Sequence, residues 1–168
     1  REVMGWFADR ARSGGGWQRV RAAALEGLGA ADAPKAHLSV ILESLGAESQ
    51  HDRVRRAALS ALAEIGGAAG EAGLDVAIGY TRAGWFSRTR SDAGEAVGKI
   101  GVTVDPDRAL GVLKALVEDP TPRGFGAGVN GLKAMKDDVP EARAVLERLA
   151  GEHESEARRW MAQRALEG

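Results

Sequence analysis

Apolar residues recur along this chain at spacings of three and four positions, which places them on one face of an α-helix. The clearest case is RVRRAALSALAEIG, residues 53–66. Its apolar positions are Val54, Ala57, Ala58, Ala61, Leu62 and Ile65. Gly66 and Gly67 follow, and glycine tolerates the left-handed conformation that commonly ends a helix. The pattern therefore predicts a short amphipathic helix that ends near Gly66.

Four other segments repeat this pattern. They begin at Arg19, Arg88, Arg123 and Ala157, so successive copies are offset by 34, 35, 35 and 34 residues. One aligned column holds the small residues Ala24, Ala58, Ala93, Gly128 and Ala162, and a second holds Leu28, Leu62, Val97, Leu132 and Leu166. Small residues beside branched apolar ones suit close helix–helix contact. A fixed period of this length is typical of a stacked repeat protein.

A second series of helical segments alternates with the first. These segments are residues 2–12, 35–45, 70–81, 106–119 and 140–150. Pro106 and Pro140 stand at their starts, where proline suits the first helical turn. The sequence thus predicts an all-α fold, an α–α superhelix (solenoid) of five helix pairs in one repeat domain, residues 1–168. The expected repeats are 1–30, 31–67, 68–102, 103–137 and 138–168.

Two short motifs within these pairs carry a resemblance to a known repeat family. Val54-Arg55-x-Ala57-Ala58 opens one helix, and Glu118-Asp119-Pro120 forms the turn before another. Both resemble HEAT and HEAT-like repeats, and the resemblance covers nearly the whole chain. It implies stacked helix pairs and is nearly silent on function. The tetratricopeptide repeat shares the period, but its Trp-Leu-Gly-Tyr pattern is missing, so it ranks second.

Composition excludes several classes of function. The formal net charge is −1, so no global basic field attracts nucleic acid, which makes nucleic acid a poor candidate partner. Cysteine is absent, which excludes disulfide and thiolate chemistry and fits a cytoplasmic protein. No apolar run reaches the roughly 20 residues needed to cross a bilayer, so no membrane association is expected.

No motif in the chain predicts catalysis, a metal or another cofactor. His37, His51 and His153 stand apart from any second ligand at metal-binding spacing. Residues 126–131 match G-x-G-x-x-G literally, but they lie in phase with the helical repeat and follow a proline turn. A dinucleotide site needs a strand before that motif, so this interpretation is rejected. Whether the chain belongs to an enzyme stays open.

Two aligned rows of arginines are the candidate binding residues. The first row is Arg19, Arg53, Arg88 and Arg123, and the second row is Arg21, Arg55 and Arg90. Cations in a first helical turn oppose the helix dipole, so helix stability does not explain them. One explanation is pairing with acids of adjacent turns: Glu48, Asp52, Glu118 and Asp119. The other is a concave basic strip that recognises carboxylates or phosphates.

Aromatic residues just before the repeated helix invite two interpretations. Trp17 and Phe86 occupy one column, where an apolar side chain commonly packs back on the first turns of the helix. We expect that arrangement for both. Trp85, next to Phe86, is then the more exposed ring and joins the candidate binding residues.

The fourth repeat and the two ends depart from the consensus. Four glycines, at 124, 126, 128 and 131, fall in one helix, and each costs up to about 1 kcal/mol relative to alanine. That helix is expected either to be the least stable or to approach a neighbouring backbone closely. The last helix has a polar outer face suited to a capping repeat. The first carries Met4, Trp6 and Phe7 without such cover, so we expect more protein before residue 1.

Three functions remain open. Residues 75–101 and the final segment, EARAVLERLAGEHESEARRWMAQRALEG, resemble the C-terminal helical domain of aminopeptidase-N-family zinc metallopeptidases. That resemblance implies a lid that restricts peptide access and packs on a preceding domain of the same polypeptide. The family's zinc motif does not occur in this chain. The second possibility is a free-standing scaffold that binds a protein or peptide. The third, a HEAT-like DNA glycosylase, needs a basic concave face with a placed carboxylate and aromatics.

Overall fold

The computed structural model describes residues 2–12, 18–31, 34–46, 51–82 and 84–168. Within these ranges all regular secondary structure is helical. The α-helices, α1 to α10 in chain order, are Glu2–Arg12, Gln18–Gly29, Leu38–Gly46, Asp52–Ile65, Gly70–Tyr80, Ser87–Val104, Pro106–Val117, Pro122–Met135, Pro140–Glu152 and Glu156–Glu167. The predicted all-α solenoid of five HEAT-like helix pairs is confirmed.

Helix boundaries follow the positions of glycine and proline in the sequence. Gly66 ends α4 with φ +56°, and Pro106 and Pro140 stand in the first turns of α7 and α9. Asp105 precedes α7, and its side chain accepts a hydrogen bond from the Arg108 backbone N–H. The one larger departure is α3, which begins at Leu38 after a 3-10 turn over Pro34–His37.

The helices form two layers that differ in spacing. Each even-numbered helix packs extensively on the next even-numbered helix from α2 to α8, whereas the contacts α1–α3 and α3–α5 are much smaller. A stack whose layers are unequally spaced curves toward the tighter layer. The even-numbered helices therefore form the concave side of the superhelix, as in other solenoids that bind ligands there.

The core runs continuously between the two layers. The small-residue column is fully enclosed: Ala24, Ala58, Ala93, Gly128 and Ala162 are all buried. The leucine column is buried from Leu28 to Leu132 and half-buried at Leu166. Phe125 and Met135 of α8 are the bulkiest side chains near the C-terminal end of this core with no exposed surface. Each repeat therefore completes its core with the repeat beside it.

Glycine lets α6 and α8 approach closely. A β-carbon at Gly94 would overlap the Ala127 carbonyl group, and one at Gly98 would overlap the Gly131 carbonyl oxygen. Gly128 likewise faces the Leu113 carbonyl oxygen of α7. Of the two expectations for the glycine-rich helix, the close backbone approach is confirmed.

Ion pairs bridge successive odd-numbered helices on the outer layer. Arg12 of α1 pairs with Glu43 of α3 at 3.3 Å, and Lys114 of α7 pairs with Glu141 of α9 at 2.9 Å. Arg108 of α7 reaches Asp75 of α5 at 2.5 Å. Exposed pairs of this kind contribute about 0–1 kcal/mol each, so they reinforce the stack without determining it.

The two ends of the stack expose apolar side chains to different extents. On the first repeat Val3, Trp6 and Val20 are exposed, while Met4 and Phe7 pack against the core. Trp160 of α10 is exposed within an otherwise polar outer face. Across the described ranges no helix is both long and apolar enough to span a bilayer.

Candidate binding face

The inner face is the exposed stripe that runs along the even-numbered helices. In α4 it consists of Arg53, Arg56, Ser60 and Glu64, spaced as successive turns of one helix face require. In α6 the same stripe holds Arg88, Asp92, Glu95 and Lys99, and in α8 it includes Arg123, Asn130 and Lys133. An open groove runs between helices here, lined by Glu26, Arg53, Arg56, Ser60 and Asp92. The face is polar throughout and carries both signs of charge.

Most charges in the middle of the inner face neutralise one another between repeats. Arg56 of α4 donates to Asp92 of α6 at 2.7 Å. Lys99 of α6 reaches Glu64 of α4 at 3.1 Å and Glu95 on its own helix at 3.2 Å. Burial raises the pKa of Asp92 above its ordinary value, and the hydrogen bond from Arg56 opposes that rise. These pairs compensate Arg56, Asp92, Glu64, Glu95 and Lys99 in the middle of the face.

The first row of arginines, called the arginine row from here on, is not neutralised by such pairs within the described residues. Its members are Arg19, Arg53, Arg88 and Arg123, and all four side chains are exposed in the first turns of α2, α4, α6 and α8. Their guanidinium groups make no ion pair or hydrogen bond with any residue that the structure describes. A cation in the first turn destabilises its helix by about 0.3–1 kcal/mol. Neither pairing nor local helix stability accounts for the row.

The second arginine row holds the stack together and is not an exposed strip. Arg21 Nε donates to the Ala11 carbonyl oxygen in the last turn of α1 at 2.9 Å. Arg90, only 4% exposed, donates through Nε to the Thr81 carbonyl oxygen after α5 at 2.8 Å. Helix ends leave such carbonyl groups without partners, and cations there are favourable. Arg21 and Arg90, which the sequence analysis counted among the candidate binding residues, thus direct their Nε donors at helix ends within the stack.

The last copy of the motif repeats this arrangement with a residue that the sequence analysis did not single out. Arg159 stands in the same column as Arg21 and Arg90, and its Nη1 donates to the His153 carbonyl oxygen after α9 at 2.6 Å. In the fourth copy the column holds Phe125, which is fully buried and packs edge-on against the His153 ring. In α2, α6, α8 and α10 the column thus fixes an even-numbered helix to the end of an odd-numbered one.

In the second repeat the same column holds Arg55, which contacts an aromatic ring. Its guanidinium lies over the Trp85 ring, 5.1 Å from the centroid, and Trp85 in turn packs on Tyr80 with 4.6 Å between ring centroids. The Tyr80 hydroxyl donates to the Leu45 carbonyl oxygen near the end of α3. Burial raises the pKa of Tyr80, while the adjacent Arg55 opposes that rise. Tyr80 therefore satisfies the carbonyl at this helix end.

The exposures of the two adjacent rings are the reverse of the prediction. Phe86 is 66% exposed, whereas Trp85 is half-buried against Tyr80 and the core. Gly84, with φ +106°, precedes them and permits a turn that an L-residue rarely adopts. Phe86 therefore does not pack back on its helix. The matching prediction for Trp17 lies outside the described residues.

Of the four acids considered as partners for the arginines, one is confirmed. Asp119 lies 3.1 Å from Arg90 Nη2, and hydrogen bonds from Thr121, with Arg90 as a smaller contribution, hold its pKa below the ordinary range. Asp52 accepts a hydrogen bond from the Thr89 hydroxyl instead. Glu118 is exposed, and Glu48 lies outside the described residues. Among the described residues, acid pairing therefore explains Arg90 of the second row and does not explain the arginine row.

Comparison with known proteins identifies the fold class. Neither a protein-family model nor a curated protein matches the sequence. Among solved structures, a designed armadillo repeat protein in complex with the peptide (KR)4 matches with a TM-score of 0.64 and 19% identity, over 99% of this chain and 81% of that one. The complex of CpcE and CpcF of phycocyanin lyase from Nostoc sp. PCC7120 matches with a TM-score of 0.70 and 17% identity, over 98% of each chain.

A designed armadillo repeat protein for modular peptide recognition also matches, with a TM-score of 0.61 and 20% identity over 99% of this chain and 82% of that one. At identities this low the likeness shows the fold alone. The chain has the fold of helical repeat solenoids of the armadillo and HEAT-like type, and its inner face must be interpreted from its own residues.

Proposed function

We propose that this chain is a repeat scaffold for protein interaction, and that it binds an extended acidic segment of a partner protein along the arginine row. The observation that carries this proposal is the contrast between the two rows. Arg21 and Arg90 of the second row donate to helix ends, whereas the guanidinium groups of Arg19, Arg53, Arg88 and Arg123, at equivalent positions in four successive repeats, have no partner among the described residues. Guanidinium groups bind carboxylates through paired hydrogen bonds.

The spacing of the row favours an extended ligand. Packed helices lie about 8–10 Å apart, which sets the distance between successive arginines. A polyproline II segment rises about 3.1 Å per residue and returns to the same side every three residues, a repeat of about 9 Å. A segment with an acid at every third position can therefore present one carboxylate to each arginine.

The sign of the charge distinguishes this chain from a structural neighbour. The designed armadillo repeat protein that it resembles was solved with the basic peptide (KR)4. The edge of the inner face in this chain carries four cations that have no partner among the described residues, so a basic peptide would be repelled there. We therefore propose that the same type of scaffold here binds a ligand of the opposite charge.

Charge reversal in the arginine row should abolish most of this binding. With a labelled peptide of four Glu-Pro-Pro triplets, we expect the Arg53→Glu, Arg88→Glu double variant to bind at least about tenfold more weakly than the wild type. The physical reason is that two attractive contacts become repulsive at adjacent repeats. Fluorescence anisotropy at several ionic strengths measures the effect, and affinity should fall as salt screens the charges.

The matched control is the double variant Lys35→Glu, Arg148→Glu, which makes the same charge change at exposed positions of the odd-numbered layer. It should bind the peptide within about twofold of the wild type, apart from a small long-range effect. Equal weakening by both double variants would refute the arginine row as the site. Equal binding of a peptide with the same residues but adjacent glutamates would refute the spacing argument. Tighter binding to duplex DNA would indicate phosphate recognition and contradict the proposal.

A second candidate is the helical domain of a zinc aminopeptidase, as the resemblance of residues 75–101 implies. The exposed apolar side chains of Val3, Trp6 and Val20 favour it, since they offer a surface on which a preceding domain can pack. This candidate predicts that the reading frame upstream of Arg1 encodes a zinc-peptidase region with an H-E-x-x-H motif. Sequencing the upstream gene tests it, and an initiation codon shortly before Arg1 would exclude it.

A further inference from the structure

Phe86 is a large apolar side chain exposed beside the arginine row. It is 66% exposed at the residue that precedes α6, two positions before Arg88. The equivalent positions in the second and fourth repeats hold His51 and Thr121, whose side chains accept hydrogen bonds from the following helix. Phe86 makes no such bond, so its ring does not serve the helix end as those two side chains do.

The backbone around Phe86 is held firmly in place. Its carbonyl oxygen accepts the Arg90 backbone N–H at 3.0 Å, and Arg90 itself is buried in the stack. The preceding residue, Trp85, is packed between Arg55 and Tyr80. The exposed ring is therefore presented from a fixed position, and a ligand that contacts it loses little free energy in ordering it.

We infer that Phe86 determines specificity: the acidic segment that binds the arginine row carries a large apolar side chain next to the carboxylate that engages Arg88, and this side chain packs on Phe86. The inference rests on the proposed function and specifies its ligand. The adjoining repeats place a polar side chain at this position, so the ligand needs its apolar residue opposite the third repeat and not opposite the second or fourth. That residue distinguishes the third repeat from its two neighbours for an otherwise periodic acidic segment.

A leucine scan of the peptide tests the inference. In the Glu-Pro-Pro peptide, each proline is replaced in turn by leucine, and affinity is measured for the wild type, Phe86→Ala and Trp6→Ala. We expect one leucine position to tighten wild-type binding about five- to tenfold, as burial of a partly exposed pair of apolar side chains allows. The gain should disappear in Phe86→Ala and persist in Trp6→Ala, since Trp6 is exposed on the first repeat.

The outcomes separate the two claims. If the parent peptide fails to bind the wild type, the proposed function is wrong and this inference falls with it. If the parent peptide binds but no leucine position gains affinity, or the gain survives in Phe86→Ala, the inference alone is overturned. Binding of the parent peptide should change less than about twofold in Trp6→Ala, because Trp6 belongs to α1 and not to the even-numbered helices that carry the arginine row.

Discussion

Replacing Gly94 by alanine is expected to lower the free energy of unfolding by about 3 kcal/mol, the upper end of the usual cost of overpacking. The new β-carbon would overlap the carbonyl group of Ala127, and this obstacle is backbone of α8 that cannot rotate away. The better helix propensity of alanine offsets about 1 kcal/mol at most. Thermal unfolding followed by circular dichroism should show a midpoint lower by about 6–12 °C, at about 2–4 °C per kcal/mol for a chain of this size.

Gly111→Ala is the control for this substitution. Gly111 is an exposed helical residue of α7, and nothing lies within 4 Å of a β-carbon placed there. The same change should therefore raise stability by about 0.5–1 kcal/mol through helix propensity alone. If the two variants unfold at the same temperature, the close packing of α6 on α8 is not what requires glycine at position 94.

Truncation of Arg90 is expected to be the most destabilising change among the arginines. Arg90→Ala removes the donors to the Thr81 carbonyl oxygen and to Asp119, and it leaves a space inside the stack. Breaking a buried charged pair costs about 3–5 kcal/mol, and because the Asp119 side chain is 23% exposed we expect about 2–4 kcal/mol. Urea unfolding measures the loss.

Arg88→Ala provides the comparison, two residues earlier in the same helix. Arg88 is exposed and has no partner among the described residues, so its removal should change stability by less than about 0.5 kcal/mol. Removing a cation from the helix N-terminus should itself favour folding by about 0.3 kcal/mol. Similar losses in both variants would contradict the separation between a structural row and an exposed row.

The period of the sequence was sufficient to predict the fold. Repeating small and branched residues at 34- and 35-residue offsets fix which faces meet, and those columns are buried as expected. Helix ends were predictable because Gly66, Pro106 and Pro140 act through their own backbone geometry. Both kinds of information are local or periodic, so they can be obtained from the sequence without knowledge of tertiary contacts.

The roles of the arginines were less accessible to sequence analysis. Two rows two residues apart look equivalent, but in the first turn of a helix they face opposite environments. The acceptors of Arg21 and Arg90 are main-chain carbonyl groups, which every residue type carries and which no sequence pattern marks. The recurrence of Arg159 in the same column was the available signal, since the arginine reappears at this position in the last copy of the motif.

The exposures of Trp85 and Phe86 show a second limit of prediction from the sequence. Adjacent residues in an extended turn point to opposite sides, so one ring packs inward while the other faces water. Which ring does so depends on the turn at Gly84 and on Tyr80, whose ring is available for stacking only after α5 has packed on α6. Both residues are hydrophobic, so hydrophobicity alone does not predict which of the two rings is exposed.

The glycine contact between α6 and α8 also affects the spacing at which the superhelix presents its arginines to a ligand. Two helices without β-carbons at their crossing come nearer than helices separated by alanine, as at the Gly94 and Gly131 backbone contact. That crossing sets the offset between Arg88 of α6 and Arg123 of α8, which are both exposed on the inner face. A larger side chain at Gly94 would push the two helices apart and would move these two guanidinium groups with them.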